Sequence, residues 1–72
     1  MDLQIIGRTI RELRKSQKIS QADLAGELDI SIMAVSKIER GLTNIPILRL
    51  DQIATILNTS IFTLLGVEKT DV

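Results

Sequence analysis

Apolar residues recur three or four positions apart along almost the whole chain, and this spacing constrains the fold more than any other feature. An α-helix turns once in about 3.6 residues, so such spacing lines one face, whereas a half-buried strand needs strict alternation. Val, Ile and Thr are plentiful, but they follow the helical register. Leu3, Ile6, Ile10 and Leu13 predict an amphipathic helix over residues 2–17, with Asp2 as its N-cap. Gly7 inside that helix costs up to about 1 kcal/mol relative to Ala. It marks either the close approach of another helix or a later start near Gly7 itself. Ser20, with Asp23 three residues on, has the form of a capping box. The helix it opens turns Leu24, Ala25 and Leu28 inward and stops at Asp29, a residue type that tolerates the left-handed conformation. Ser31 caps a third helix with Val35 and Ile38 inward, ended by Gly41.

Residues 42–45 read as a loop, and Pro46 suits the first turn of a fourth helix, where its missing N–H costs nothing. That helix buries Leu50, Ile53, Ala54 and Leu57, with Ile47 or Leu48 at its edge. Asn58 and Thr59 interrupt it. Ser60 caps a last short helix with Phe62 and Leu65 as core candidates and Gly66 as its stop. Residues 67–72 are polar and expected to fray. The expectation is an all-α fold of five short helices, one domain over residues 1–72 with its core at about 7–66.

Composition removes whole classes of function. At 72 residues there is room for one small domain. A hydrophobic fraction of 44% is too high for a disordered chain. No apolar run approaches the ~18 residues of a membrane span, and the N-terminus lacks the layout of a signal peptide, so a cytoplasmic protein is expected. Cysteine is absent, which excludes disulfides, a thiol nucleophile and a thiolate metal site. Histidine is absent too, so zinc has no plausible ligand set and the commonest general base is missing. A chain this short also has difficulty enclosing a pocket of about 300 Å³ while packing a core. A binding module is expected, with no catalytic residues, metal, cofactor or small-molecule ligand.

Nine Lys/Arg balance nine Asp/Glu, a net charge of zero that is less basic than many nucleic-acid binders show. Distribution says more than the sum. Arg8, Arg11, Arg14, Lys15 and Lys18 face only Glu12 in their stretch, acid gathers at Asp23, Glu27 and Asp29, and Lys37 and Arg40 form a later basic strip.

The most informative segment is SQADLAGELDISIMAVSKIERG, Ser20 to Gly41. Two helices of about eight residues meet there at a three-residue turn. Their spacing puts Leu24, Ala25, Leu28, Ile30, Val35 and Ile38 on a shared inner face, with the small Ala25 where the second helix crosses the first. This is the pattern of a helix-turn-helix, whose second helix enters the DNA major groove. Together with IRELRK (Ile10 to Lys15) before it and LNTSIFTLL (Leu57 to Leu65) after it, the segment resembles the lambda-repressor-like (Cro/C1, or Xre) DNA-binding family over about residues 7–66. The loop ERGLTNI, Glu39 to Ile45, is also similar to that of the controller proteins of restriction–modification systems.

The resemblance implies roles for individual residues. Gln21, Arg40, Thr43 and Asn44 would contact backbone phosphate. Ser31, Ile32, Met33, Ser36 and Lys37 would face base edges, with Lys37 donating to guanine and Ile32 and Met33 packing on thymine methyls. Arg14 would pair with Glu39 and tie helix 1 to the end of the recognition helix, with a secondary phosphate contact. Arg8, Arg11, Lys15 and Lys18 read as solvated charges that raise local potential, with one of them a candidate for a DNA contact. The plainer readings are an ordinary helix-start residue for Gln21, a solvated charge for Arg40, a turn-former for Asn44, and a sticky protein-binding pair for Ile32 and Met33. Two departures from the family pattern stand out. Asp29 occupies a turn position commonly held by Gly, and the recognition helix has no Arg, Gln or Asn, so discrimination would rest on apolar contacts and DNA shape.

The expected protein is a transcriptional regulator that binds double-stranded DNA as a homodimer on a near-palindrome, with no separate ligand domain. Regulation would come from concentration, a partner or competition for sites. Its dimer surface is expected on the fourth and fifth helices, at Ile45, Ile47, Ile61 and Leu64. Two alternatives stay open: an antitoxin that binds both DNA and a toxin protein, and a protein-interaction domain without DNA binding.

Overall fold

In the computed structural model, which describes residues 2–67, five helices follow one another: α1 (Leu3–Ser16), α2 (Gln21–Leu28), α3 (Ile32–Glu39), α4 (Ile47–Ile56) and α5 (Ile61–Leu65). Four of them begin at a side-chain cap, which satisfies backbone N–H groups that the first helical turn leaves without partners. Asp2 accepts from the backbone N–H of Gln4 at 2.9 Å and of Ile5 at 3.3 Å. At α2 the capping box is reciprocal: Asp23 N–H donates to Ser20 Oγ at 2.9 Å, and Ser20 N–H donates to the Asp23 carboxylate at 3.2 Å. Ser31 and Ser60 cap α3 and α5 through Ala34 and Thr63. The fourth helix starts differently. Pro46 stands at the N-cap position, not in the first turn, with extended ψ, and its carbonyl accepts from Leu50 N–H at 3.0 Å.

The main helix–helix contacts close a ring: α1 packs on α3, α3 on α2, α2 on α4, α4 on α5, and α5 back on α1. Inside it lie Ile6, Ile10, Leu24, Val35, Leu50, Ile53, Leu57 and Leu64, all essentially without solvent exposure. Burial of an aliphatic side chain of this size contributes about 1.5–3 kcal/mol. Gly7 lies at the α1–α3 contact. A Cβ there would come within 2.4 Å of the Ile38 carbonyl oxygen and 2.6 Å of that of Glu39. The glycine therefore marks a close helix approach, and α1 begins before it.

Three expectations about the C-terminal half need correction. Ile45 and Leu64 belong to the core, with 6% and 0% of their surface exposed, and are not available as a dimer surface. Phe62 is not a core residue, since 58% of it is exposed, while Leu65 is half-buried. The reason is one of phase. On a five-residue helix started by Ser60, inward positions three or four apart are Ile61, Leu64 and Leu65, which turns Phe62 outward. Ile47 and Leu48 lie fully on the surface of α4. Of the tail expected to fray, residues 68–72 lie outside the described residues. Among the described residues no helix is long and apolar enough to cross a membrane.

Candidate nucleic-acid interface

The α2–turn–α3 unit is joined by three residues, of which Asp29 adopts φ 57°, ψ 45°. Its left-handed conformation lets the Ile30 N–H reach the Ala25 carbonyl at 3.0 Å and reverses the chain. Arg49 of α4 reinforces this end of α2 by donating to the Leu28 carbonyl at 2.9 Å. Val35 and Ile38 then anchor α3 against Leu24, Ala25 and Leu28 in the core. The opposite face of α3 is left outward. Ile32 is 52% and Met33 67% exposed, Lys37 is exposed and Ser36 half-buried. Ser31 uses its oxygen to cap Ala34, which leaves its hydroxyl hydrogen available to an acceptor.

The far end of α3 is held by a buried polar cluster. Arg14 Nε donates to Glu39 Oε2 at 2.6 Å and Arg14 Nη2 to Glu39 Oε1 at 3.1 Å, a bidentate pair with little solvent exposure. Arg14 Nη1 donates to the Ile19 carbonyl at 2.7 Å, before α2. Gln21 Nε2 donates to Glu39 Oε1 at 3.0 Å. Three segments, α1, the start of α2 and the end of α3, thus meet at one carboxylate, and the Arg14 guanidinium ties in the α1–α2 loop through Ile19. Gln21 keeps its second amide hydrogen for another acceptor. The cluster leaves no buried side-chain polar atom without a partner among the described residues, as a buried ion pair requires.

Around α3 the structure gathers the sequence-derived residues into two groups. On one side Lys37, Thr43 and Asn44 line a cleft of about 190 Å³ with Ile30, Ala34, Ile45, Pro46 and Arg49. On the other, Gln21, Ser36 and Arg40 share a cleft of about 200 Å³ with Glu39 and Arg11. Gln21 is not brought to Thr43 or Asn44: they line separate clefts. Gly41, at φ 72°, starts the loop between these groups, and its lack of a side chain also lets Gln4 of α1 pack against it. Arg11 is the residue that the sequence did not single out among the α1 charges, and the structure sets it with Gln21, Ser36 and Arg40. It stands four residues after Gly7 and three before Arg14, so it flanks the α1–α3 contact, and that spacing was the available signal.

The chain matches the helix-turn-helix family over residues 10–64. It belongs to that family. In DNA-binding proteins built on this motif, the second helix lies in the major groove. Among solved structures it is similar to the restriction-modification controller protein C.AhdI from Aeromonas hydrophila, with 32% identity, a TM-score of 0.81, and 88% of this chain and 96% of that one covered. It is also similar to SinR, the master regulator for biofilm formation, solved in complex with DNA: 36% identity, TM-score 0.75, 83% of this chain and 97% of that one. A third likeness is to the hydroxypropylphosphonic acid epoxidase of S. wedmorenis, at 26% identity and a TM-score of 0.83. It covers 88% of this chain but 34% of the enzyme, so it carries the helical domain alone. No curated protein matches the chain in sequence.

Proposed function

We propose that this protein is a transcriptional regulator that binds duplex DNA as a homodimer, inserting α3 into the major groove of each half of a near-palindromic site. The observation that carries the reading is the outward face of α3, Ile32, Met33, Ser36 and Lys37, on a helix fixed at both ends by Ser31 and the Arg14–Glu39–Gln21 cluster. Ser31, Ile32, Met33, Ser36 and Lys37 face base edges. Arg40, Thr43, Asn44 and the second amide hydrogen of Gln21 face phosphates. C.AhdI and the DNA-bound SinR, both similar in fold and sequence, support the assignment. Two copies place their recognition helices about one helical turn apart, ~34 Å. The dimer face retains Ile47 and takes Leu48 and Phe62 in place of the buried Ile45 and Leu64, with the half-buried Ile61 at its edge. Leu48 is 77% exposed.

Selection of bound duplexes from a random pool tests the reading. The expected result is an enriched near-palindrome whose affinity falls steeply between ~50 and ~200 mM salt. Lys37→Ala then relaxes preference at one base position at a cost of about 1–3 kcal/mol, and Arg40→Ala weakens all duplexes alike. Uniform loss for both variants would remove the base-reading role of α3. Absence of any enrichment would favour the second reading, a protein-interaction domain whose contact is the exposed Ile32–Met33 pair.

A further inference from the structure

We propose that Arg8 and Arg11 of α1 join Arg40 in a second phosphate track, which grips the DNA backbone beyond the contacts of the helix-turn-helix itself. The inference rests on the DNA-binding reading above and extends it to a helix outside the motif. Three clefts run side by side along α1. Arg11 and Arg40 line the first with Gln21, Ser36 and Glu39. Arg8, Arg11 and Arg40 line the second, of about 250 Å³, with Gln4 and Glu39. Arg8, Arg11 and Lys15 line the third with Glu12. Arg11 is common to all three, so the clefts form one continuous basic strip that starts at the candidate phosphate contacts Gln21 and Arg40.

The charge of this strip is unspent. Glu39, the acid shared by the first two clefts, is 6% exposed and already accepts from Arg14 and Gln21. Among the described residues, Arg8 and Arg11 make neither an ion pair nor a side-chain hydrogen bond. Arg40 uses only its Nε, on the Ser36 carbonyl at 3.3 Å. That bond also meets the negative end of the α3 dipole, which would otherwise oppose an anion there. Three guanidiniums with donors to spare, around open clefts, suit phosphate or carboxylate oxygens, and their continuity with the proposed DNA-contact surface selects backbone phosphate. A zero net charge is compatible with this, because the acids lining the three clefts are Glu39, already paired, and Glu12, against the four basic residues Arg8, Arg11, Lys15 and Arg40.

The test compares Arg11→Gln and Arg8→Gln/Arg11→Gln with Lys18→Gln, which removes one charge from the exposed α1–α2 turn. Thermal melting first verifies folding, expected to be unchanged because the two arginines have no partners to lose. Binding to the selected duplex, with about one helical turn (~10 bp) of flank on each side, is then followed against salt. Ethylation interference identifies the phosphates that matter. Each arginine lost should flatten the log–log salt slope by about 0.9. A discrete set of phosphates should cease to interfere, while sequence preference stays as it was. Lys18→Gln should leave the interference pattern intact. If Arg11→Gln matches Lys18→Gln in slope and pattern on a duplex that the unaltered protein binds well, the track is overturned and the DNA-binding reading stands. If the unaltered protein binds no duplex, both fall.

Discussion

Gly7 and Gly26 occupy similar interior positions in α1 and α2, and the same substitution should act on them in opposite directions. Beyond Gly26 there is nothing within 4 Å of an added Cβ, so Gly26→Ala gains helix propensity alone. It should stabilise by about 0.5–1 kcal/mol. At Gly7 the added carbon meets backbone oxygens of α3, which no side-chain rotation relieves. Gly7→Ala should destabilise by about 1–3 kcal/mol as the helices are forced apart. Urea unfolding of the two variants measures both. Equal stabilisation would mean that α1 and α3 do not approach as described. From sequence, the two glycines differ only in their neighbours; the partner helix separates them.

At the scale of elements, the caps were legible because each is a local bond: Asp2, Ser20, Ser31 and Ser60 reach N–H groups two or three residues ahead. The Arg14–Glu39 bond joins residues 25 positions apart, and only the family resemblance suggested it. The third partner, Gln21, reads from sequence as a phosphate contact or an ordinary helix-start residue, and neither reading places its amide on Glu39. Removal of one partner from a buried pair strands the other charge. Arg14→Met should therefore cost about 3–5 kcal/mol, and Arg14→Met/Glu39→Met should recover much of that loss. Denaturation of the two single variants and the double variant forms the cycle. Additive losses would show that the pair is not coupled. Since the cluster fixes the end of α3, Arg14→Met should also weaken DNA binding without altering base preference.

For the whole molecule, the ring of five helices decides which apolar residues are core and which are surface. Leu64 closes the ring with no exposed area, so Leu64→Ala should cost about 2–5 kcal/mol. Phe62, two residues away and mostly exposed, should tolerate Ala with little loss of stability. The proposed dimer adds a second expectation. Leu48→Asp/Phe62→Asp should keep the helical circular dichroism but sediment as a monomer and lose affinity for a two-half-site duplex. Unchanged sedimentation would place the dimer contact elsewhere.

Helix number, the four side-chain caps, the stops and the inner face of α2 and α3 followed from the sequence alone, because they depend on residues within one turn of each other. So did the outward residues of α3, once its inward pair Val35 and Ile38 had set the phase. The tertiary structure alone decided what depends on contacts between distant segments. It drew Ile45 and Leu64 into the core, turned Phe62 out, joined Gln21 to Glu39, and set Arg11 beside Arg40. A short helix carries too few apolar positions to define its buried face, and a charge on a helix surface acquires its neighbours only when a second helix packs beside it.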